Sequence, residues 1–342
     1  MSLRQVFKPR TVFPDYRVNL ADFKGHQSKA LAKMRELSPQ IDLVLELRDA
    51  RAPVSTSNTL LQKVFRDKEK LILYTKKDLS PINTRFLNKW HESLNESWKF
   101  MDCRSANDTH QLLTIIRKKY NEMYPCPPLG LRLMVVGMPN VGKSTLVNSL
   151  RSIGLGSDRD IMIKKKRRSV AKVGSHAGVT RSTSEIIRIS RDPEVLLYDT
   201  PGVLLPQVKD MQTMLSLSLV GTISKINQAD PVITADYLLY VMNLTDPSGE
   251  RYRKYFDHPT NDIYELLGAM ATKAGNFKRI KGEKEKRPNY VGTASELIQM
   301  AQMGKLGKLC FDVDAVKSIE DSDFKIPEDA PNWNRRNFAH GD

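Results

Sequence analysis

Residues 137–144 read Gly-Met-Pro-Asn-Val-Gly-Lys-Ser, the spacing of a loop built to hold phosphate. Gly137 and Gly142 free the backbone to wrap an anion, so that successive N–H groups and the start of a following helix face negative charge. In that pattern Lys143 reaches the β and γ phosphates and the Ser144 hydroxyl ligates magnesium, with Asn140, Val141 and Thr145 completing the cradle. Asp-Thr-Pro-Gly-Val, residues 199–203, offers the second carboxylate such a site needs. Asp199 would hold magnesium through water, and the Gly202 N–H would bond a γ phosphate. Between the two motifs, Thr180 is the candidate third metal contact, closing over magnesium when the γ phosphate is present.

A phosphate loop does not choose a base. Thr75-Lys76-Lys77-Asp78 can. A carboxylate at Asp78 accepts from both the N1–H and the 2-amino group of guanine, and adenine offers neither donor there. A buried acceptor left unpaired by the wrong base makes discrimination of several powers of ten feasible. Lys76 would lay its aliphatic stem along the ring. Asn is usual where Thr75 stands, tying the base loop to the phosphate loop; one hydroxyl in place of an amide predicts weaker or looser binding. This tetrapeptide stands about sixty residues before the phosphate loop, the reverse of the common order, and four such residues recur by chance. Its weight depends on the elements that carry it.

Six short apolar runs have strand length: 41–47, 71–75, 98–103, 131–137, 185–190 and 195–200. Helix-like stretches separate the first four, as parallel crossovers require, whereas only Arg-Asp-Pro-Glu separates the last two, which suits a hairpin. In a GTP-binding domain of ordinary order the phosphate-loop strand is first and base recognition lies on the fifth and sixth. Numbering the runs here four, five, six, one, two, three puts every motif at its proper strand end. Asp78 then follows the fifth strand, and Ser105 and Ala106 follow the sixth, where a Ser-Ala pair lines the guanine pocket. The predicted fold is α/β, a circularly permuted P-loop GTPase domain with a six-stranded sheet (order 4-5-6-1-2-3 along the chain) and a small C-terminal all-helical domain. Its divisions are a basic segment 1–22, the GTPase domain 23–222, a helical domain 223–310 expected to bind RNA and a mostly unstructured acidic tail 311–342.

The formal charge is +15, and the eight acidic and four basic side chains from Phe311 onward leave about +19 on the rest. Such a field attracts polyanions, RNA first and anionic lipid second. The cations concentrate in 161–178, which holds Lys-Lys-Lys-Arg-Arg, and in 273–287, with seven basic and two acidic residues. Cys103, Cys126 and Cys310 have no metal-ligand spacing, which fits free thiols in a reducing compartment. The first 13 residues hold three cations and no acid, a weak organelle-import signal. No apolar run approaches the roughly 18 residues of a membrane span.

From about Phe23 to Phe311 the chain resembles the circularly permuted GTPases that assist ribosome assembly, in particular their mitochondrial branch. Beyond the nucleotide motifs, the resemblance is carried by Phe-Lys-Gly-His-Gln-Ser-Lys-Ala at 23–30, where Gln27 replaces the family's Met. It continues through Asp-Ala-Arg-Ala-Pro at 49–53, residues 262–275 and residues 304–312. It implies GTP and GDP as ligands with Mg2+, and the large ribosomal subunit with its rRNA as partner. It also implies the mitochondrial matrix, peripheral on the anionic inner membrane, as location, and a monomer as the working state. Val203 occupies the position after Asp-x-x-Gly where many GTPases carry a water-orienting Gln, so slow intrinsic hydrolysis is expected, stimulated by the ribosomal subunit. GTPases with an Asn at the position of Asn140 commonly recruit potassium, and His26 is the other candidate catalytic group, ahead of His176. Two rival readings remain at this stage: a nucleotide-dependent kinase or ATPase, and an RNA- or membrane-binding module with negligible hydrolysis.

Overall fold

A computed structural model describes residues 7–18, 26–92, 94–155, 186–203, 208, 210–223, 229–279 and 285–320 of the 342-residue chain. Its centre is β1 (Leu43–Asp49), buried along its whole length, as befits a strand flanked on both edges and covered on both faces. Two strands pair with it in parallel, β2 (Glu69–Thr75) and β4 (Leu131–Gly137). β3 (Ser97–Met101) lies outside β2, while β6 (Glu194–Asp199) and then β5 (Ile186–Arg191) lie outside β4; β5 alone runs antiparallel. In the predicted numbering the spatial order reads 6-5-4-1-3-2. Every nucleotide motif therefore leaves the same carboxyl edge of the sheet. The register makes this concrete: Asp49 stands opposite Thr75, and Leu47 opposite Gly137.

Alternation along the strands divides the core. Leu45, Leu73 and Leu133 join the apolar sides of α4 (Ala106–Glu122) and α5 (Lys143–Gly154). Val44 and Met134, facing the other way, pack with α1 (His26–Leu37) and α2 (Thr59–Val64). Ile72 and Tyr74 meet α3 (Thr84–Glu92). The first strand ends two residues later than its apolar run suggests, because Glu46 and Arg48 are charged yet buried, paired through Arg48 Nε and Glu46 Oε1 at 2.7 Å. Asp49, the last residue, is likewise buried and answered by two cations. Charge there marks an internal network, and it hides the end of the strand from a reading of hydrophobicity.

The C-terminal part is built around α7 (Pro231–Thr245), whose Asp230 cap accepts from the N–H groups of Val232 and Ile233. Around it pack α6 (Met211–Val220), α8 (Ile263–Ala274) and α9 (Tyr290–Gln302). Three features depart from expectation. α6 belongs to this helical packing although it precedes residue 223. A short hairpin, β7 (Phe277–Arg279) and β8 (Lys286–Pro288), interrupts the domain expected to be all helix. Its strands are basic and exposed, so no apolar alternation announced them; its base is closed by Asn289, whose N–H and side-chain amide donate to the Asn276 carbonyl and Oδ1 at 3.0 and 3.1 Å. The stretch assigned to an unstructured tail begins with fully buried Phe311, buried Asp312 and α10 (Val313–Glu320), which rests on α3. Residues 321–342 lie outside the described set.

The basic N-terminal segment also has a place. Phe13 is buried among Tyr16, Tyr237 and Tyr240, and Arg10 grips Asp236 of α7 through two nitrogens at 2.6 and 3.1 Å. Tyr16 donates to the same carboxylate at 2.9 Å. Residues 7–18 thus dock on the helical domain, with Phe13 inserted in its core, a role that charge alone does not reveal. Among the described residues no helix is long and apolar enough to cross a membrane.

Candidate nucleotide site

The phosphate loop turns sharply from β4 into α5. Gly137 has φ +145°, and a Cβ there would stand 2.5 Å from the Leu47 carbonyl oxygen, so the loop can cross β1 only as glycine. Gly142, at φ +103°, is the N-cap of α5. Lys143 follows it and is buried, its ammonium donating to the carbonyls of Gly137 at 3.2 Å and Met138 at 2.7 Å. Burial pulls its pKa down to about 8, against an opposing push from Asp199. Asp199 feels the reverse: burial raises its pKa while Lys143 holds it down.

One oxygen of Asp199, Oδ1, is buried with no hydrogen-bond partner. Burying an unsatisfied acceptor costs free energy, so this atom calls for a donor that the described residues do not supply. A metal-bound water would be such a donor, and the half-buried Ser144 hydroxyl lies on the adjoining first turn of α5. The residues present therefore fit magnesium. Thr180, the third metal candidate, lies outside the described residues, as do His176 and the basic run 161–178. His26 opens α1, but its side chain is outside the described set.

The Asp-x-x-Gly segment is pressed against the phosphate loop. Val203 N donates to the Gly137 carbonyl at 3.2 Å. A Cβ on Gly202 would come within 2.6 Å of Pro139 N, so this glycine is fixed by proximity to backbone. Val203 itself is fully buried, consistent with a position that presents no side chain to a water. Its carbonyl accepts at 2.8 Å from Nδ2 of Asn58, the residue that also caps α2.

The base loop is tied to the phosphate loop by Thr75 and Lys76. Thr75, 1% exposed, sets its hydroxyl 2.7 Å from the Val141 carbonyl and 3.1 Å from that of Arg48. One hydroxyl hydrogen serves one acceptor fully, and the shorter contact is the one to the phosphate loop. Thr75 thereby supplies the tie expected of Asn. Thr75→Val keeps the shape and removes the donor from a buried carbonyl, so a loss of about 1–3 kcal/mol in unfolding free energy is expected, with weaker nucleotide binding. Denaturant titrations with and without GDP would measure both; unchanged stability would show the tie to be idle.

Lys76 adopts a left-handed conformation, φ 56°, which turns its side chain back over the phosphate loop. Its ammonium bonds Asp49 Oδ2 at 2.7 Å and the Asn140 carbonyl at 2.9 Å. Asp49 is held in turn by Arg51 Nε and Nη2 at 3.0 and 2.8 Å, and these cations keep its pKa well below the usual carboxylate range despite burial. Asp78 is more open: Oδ2 accepts from Arg104 Nη2 at 2.7 Å in a pair with side chains 69% and 37% exposed. Lys77 turns away to pair with Asp108 of α4. Ser105 acts as the N-cap of α4, accepting from Asp108 N at 3.2 Å, and Ala106 is that helix's exposed first residue. These three frame the loop without lining its cavity.

That cavity, about 300 Å³, is bounded by Thr75, Lys76, Asp78, Val141, Gly142 and Thr145, as the motifs require. It also includes residues the sequence did not suggest. Arg104 and Cys103 come from the turn after β3, and Gln302 and Met303 come from the end of α9. Cys103 is buried with its thiol pushed up to about 12, so it packs as a small apolar group.

Asn140, the residue expected to help hold potassium, donates from Nδ2 to the Gly221 carbonyl at 2.6 Å. Gly221 ends α6 with φ +76°. The phosphate loop is thereby joined directly to the helical domain, and Oδ1 is the amide atom left to meet a cation.

Comparisons with known proteins agree with this geometry. Residues 132–273 match a family model described as 50S ribosome-binding GTPase, a match that begins in β4 with the phosphate-loop strand. The chain is 45% identical over 279 residues to mitochondrial GTPase 1 of Saccharomyces cerevisiae, covering 76% of this chain and 75% of that protein. It is 31% identical over 319 residues to mitochondrial ribosome-associated GTPase 1 of Ictalurus punctatus, covering 89% and 96%. The crystal structure of GNP-bound YlqF from T. maritima superposes with a TM-score of 0.51 at 23% identity, covering 83% of this chain and 97% of that one, and so shares the fold. With its nucleotide motifs on one sheet edge in permuted order, the chain belongs to the mitochondrial GTPase 1 family of circularly permuted P-loop GTPases.

Proposed function

We propose that this GTPase is a switch that binds the large ribosomal subunit in mitochondria and assists its assembly, with the helical domain and its basic hairpin contacting rRNA. The observation that carries the switch is a bonded path from the γ-phosphate sensor to the helical domain. Asn58 holds the Val203 carbonyl, and four and three residues earlier in the same loop Val54 and Ser55 donate their N–H groups to Asp312 Oδ2 at 2.8 and 2.9 Å. Ser55 Oγ adds a third bond to Asp312 at 2.5 Å. Movement of Asp-x-x-Gly on γ-phosphate loss would pull this loop, and the loop is bonded to the segment that closes the helical domain.

In this reading Ser144, Asp199 and Thr180 hold magnesium, which neutralises phosphate charge when bound. Lys143 and the Gly202 N–H stabilise the γ phosphate. Potassium at Asn140 supplies positive charge that Val203 cannot, with His26 as the further catalytic group, and the ribosomal subunit raises a slow intrinsic rate. The hairpin's Lys278, Arg279, Lys286 and Arg287 give the cationic face, next to the edge-to-face pair Tyr264 and Tyr290. The names of the relatives support the mitochondrial location and the ribosomal partner. Peripheral contact with the inner membrane and a monomeric state complete the reading.

Co-sedimentation with mitochondrial large subunits tests it. Binding is expected to be at least several-fold stronger with a GTP analogue than with GDP, and single-turnover hydrolysis faster with subunits and in potassium than in sodium. Equal sedimentation in both nucleotide states would sink the switch, and hydrolysis insensitive to subunits would favour a binding module in which nucleotide only props the fold.

A further inference from the structure

We infer that the helical domain supplies part of the guanine-binding pocket, with Met303 as the apolar wall against the base. Met303 is the C-cap of α9, is 55% exposed, and lines the same cavity as Asp78 and Lys76. An exposed methionine beside a base-reading carboxylate is a flexible apolar surface with a polarisable sulfur, suited to a purine face.

Its position is set from the base loop itself. The Leu79 carbonyl, one residue beyond Asp78, accepts from Leu309 N at 3.1 Å. Gly304 follows Met303 at φ +76°, and a Cβ there would meet Leu79 Cδ2 at 2.5 Å, so the chain turns tightly against the base loop. From the other side, Arg51 Nη1 donates to the Gln302 carbonyl at 3.1 Å while the same guanidinium grips Asp49, which holds Lys76. A chain of bonds therefore runs from Lys76 through Asp49 and Arg51 to the residue before Met303. Lys76, Asp78 and Met303 form one frame although they come from two domains. The consequence is that any guanine nucleotide, with or without a γ phosphate, fastens the helical domain at its α9 end. The path through Asn58 responds to the γ phosphate at the other. This inference rests on the reading of Asp78 as the guanine acceptor.

Equilibrium titration of the full chain with fluorescent GDP and a fluorescent GTP analogue tests it. Met303→Ala is expected to raise the Kd for both by the same factor, about three- to tenfold, the size of a lost thioether contact with a ring. Met303→Leu, which keeps an apolar wall, is expected to bind nearly as the unaltered chain does. Because Met303 is largely exposed, neither change threatens folding. Unchanged affinity in Met303→Ala, or a loss confined to the GTP analogue, overturns the inference. Xanthine nucleotides with Asp78→Asn separate the two layers. If that variant turns to xanthine while Met303→Ala binds GDP normally, only the Met303 assignment fails; if it keeps guanine, the pocket reading fails and the inference with it.

Discussion

Asp78→Asn is expected to lower affinity for GTP by about a thousandfold or more and to make XTP the preferred nucleotide. Guanine offers two donors, N1–H and the 2-amino group, to the two carboxylate oxygens of Asp78. The asparagine amide keeps one acceptor but turns a donor toward the 2-amino group, and two donors facing each other against the base leave both without an acceptor. Xanthine carries an oxygen at that position and restores the match. Sites that read a base by paired hydrogen bonds reject the wrong partner by factors of this order. Asp78 is paired with Arg104, which is itself held by Asp102 at 3.2 Å. Guanine must displace that guanidinium. The pair is largely exposed, so the displacement costs at most about 1 kcal/mol and does not alter the ranking of bases. Competition of GTP, XTP and ATP for one labelled nucleotide measures the effect. An Asp78→Asn chain that still prefers GTP would return the kinase or ATPase reading to consideration.

Much of this site is legible in the sequence, because its signals are local. Gly137 to Ser144 and Asp199 to Gly202 are contiguous motifs whose chemistry follows from their own residues. Asp78 becomes legible only through strand counting, since the parallel sheet puts the end of β2 on the same carboxyl edge as the ends of β4 and β6, with β1 between β2 and β4. What stayed hidden depends on contacts between distant segments. Met303 and Gln302 are over two hundred residues from Asp78, on a helix whose other features speak only of packing. Arg104 sits next to the Ser105-Ala106 pair, yet nothing in its type says that it will cover Asp78. Asp49 and Arg51 were visible as part of a family signature without a role. Their burial as an ion pair under Lys76, with Arg51 stacked 5.7 Å from the Phe311 ring, is a tertiary fact. Charge misled in both directions: it hid the end of β1, and it suggested an unstructured tail where Phe311 and Asp312 anchor the helical domain.

Asp312 shows why such an anchor reads as tail. A buried carboxylate is disfavoured unless it is well bonded, and burial lifts its pKa to about 6 even though Ser55 and two backbone N–H groups favour the anion. The acid is retained at a contact that an apolar side chain could have made at lower cost. Its acceptors organise the Val54-Ser55 turn, which no hydrocarbon could do, and that turn carries Asn58 to the Val203 carbonyl. A polar joint of this kind can be shifted by small movements, whereas an apolar one would simply pack.

The second large effect concerns Lys143. Its ammonium is buried against the Gly137 and Met138 carbonyls and drawn to Asp199, and burial brings its pKa down to about 8. Bound phosphate brings negative charge into contact and lifts that pKa again. Binding therefore takes up a proton above pH 8, and affinity for GDP is expected to fall by up to about tenfold per pH unit from there until the pKa of the bound state is reached. Stability of the empty chain runs the opposite way. The unfolded lysine, near 10.4, binds more protons than the folded one between about pH 8 and 10, so this residue's contribution to unfolding free energy rises with pH across that window, by at most about 1.4 kcal/mol per unit. Lys143→Met removes both dependences. It is expected to weaken GDP binding at pH 7 by about a hundredfold or more, because a buried charge partner is lost. The empty chain should hold its stability, because the cost of burying an ammonium is lost as well. Titration calorimetry in buffers of different ionisation enthalpy reads the proton uptake directly. An uptake that persists in Lys143→Met would assign it to another group, and a variant that still binds GDP tightly would remove Lys143 from the phosphate site.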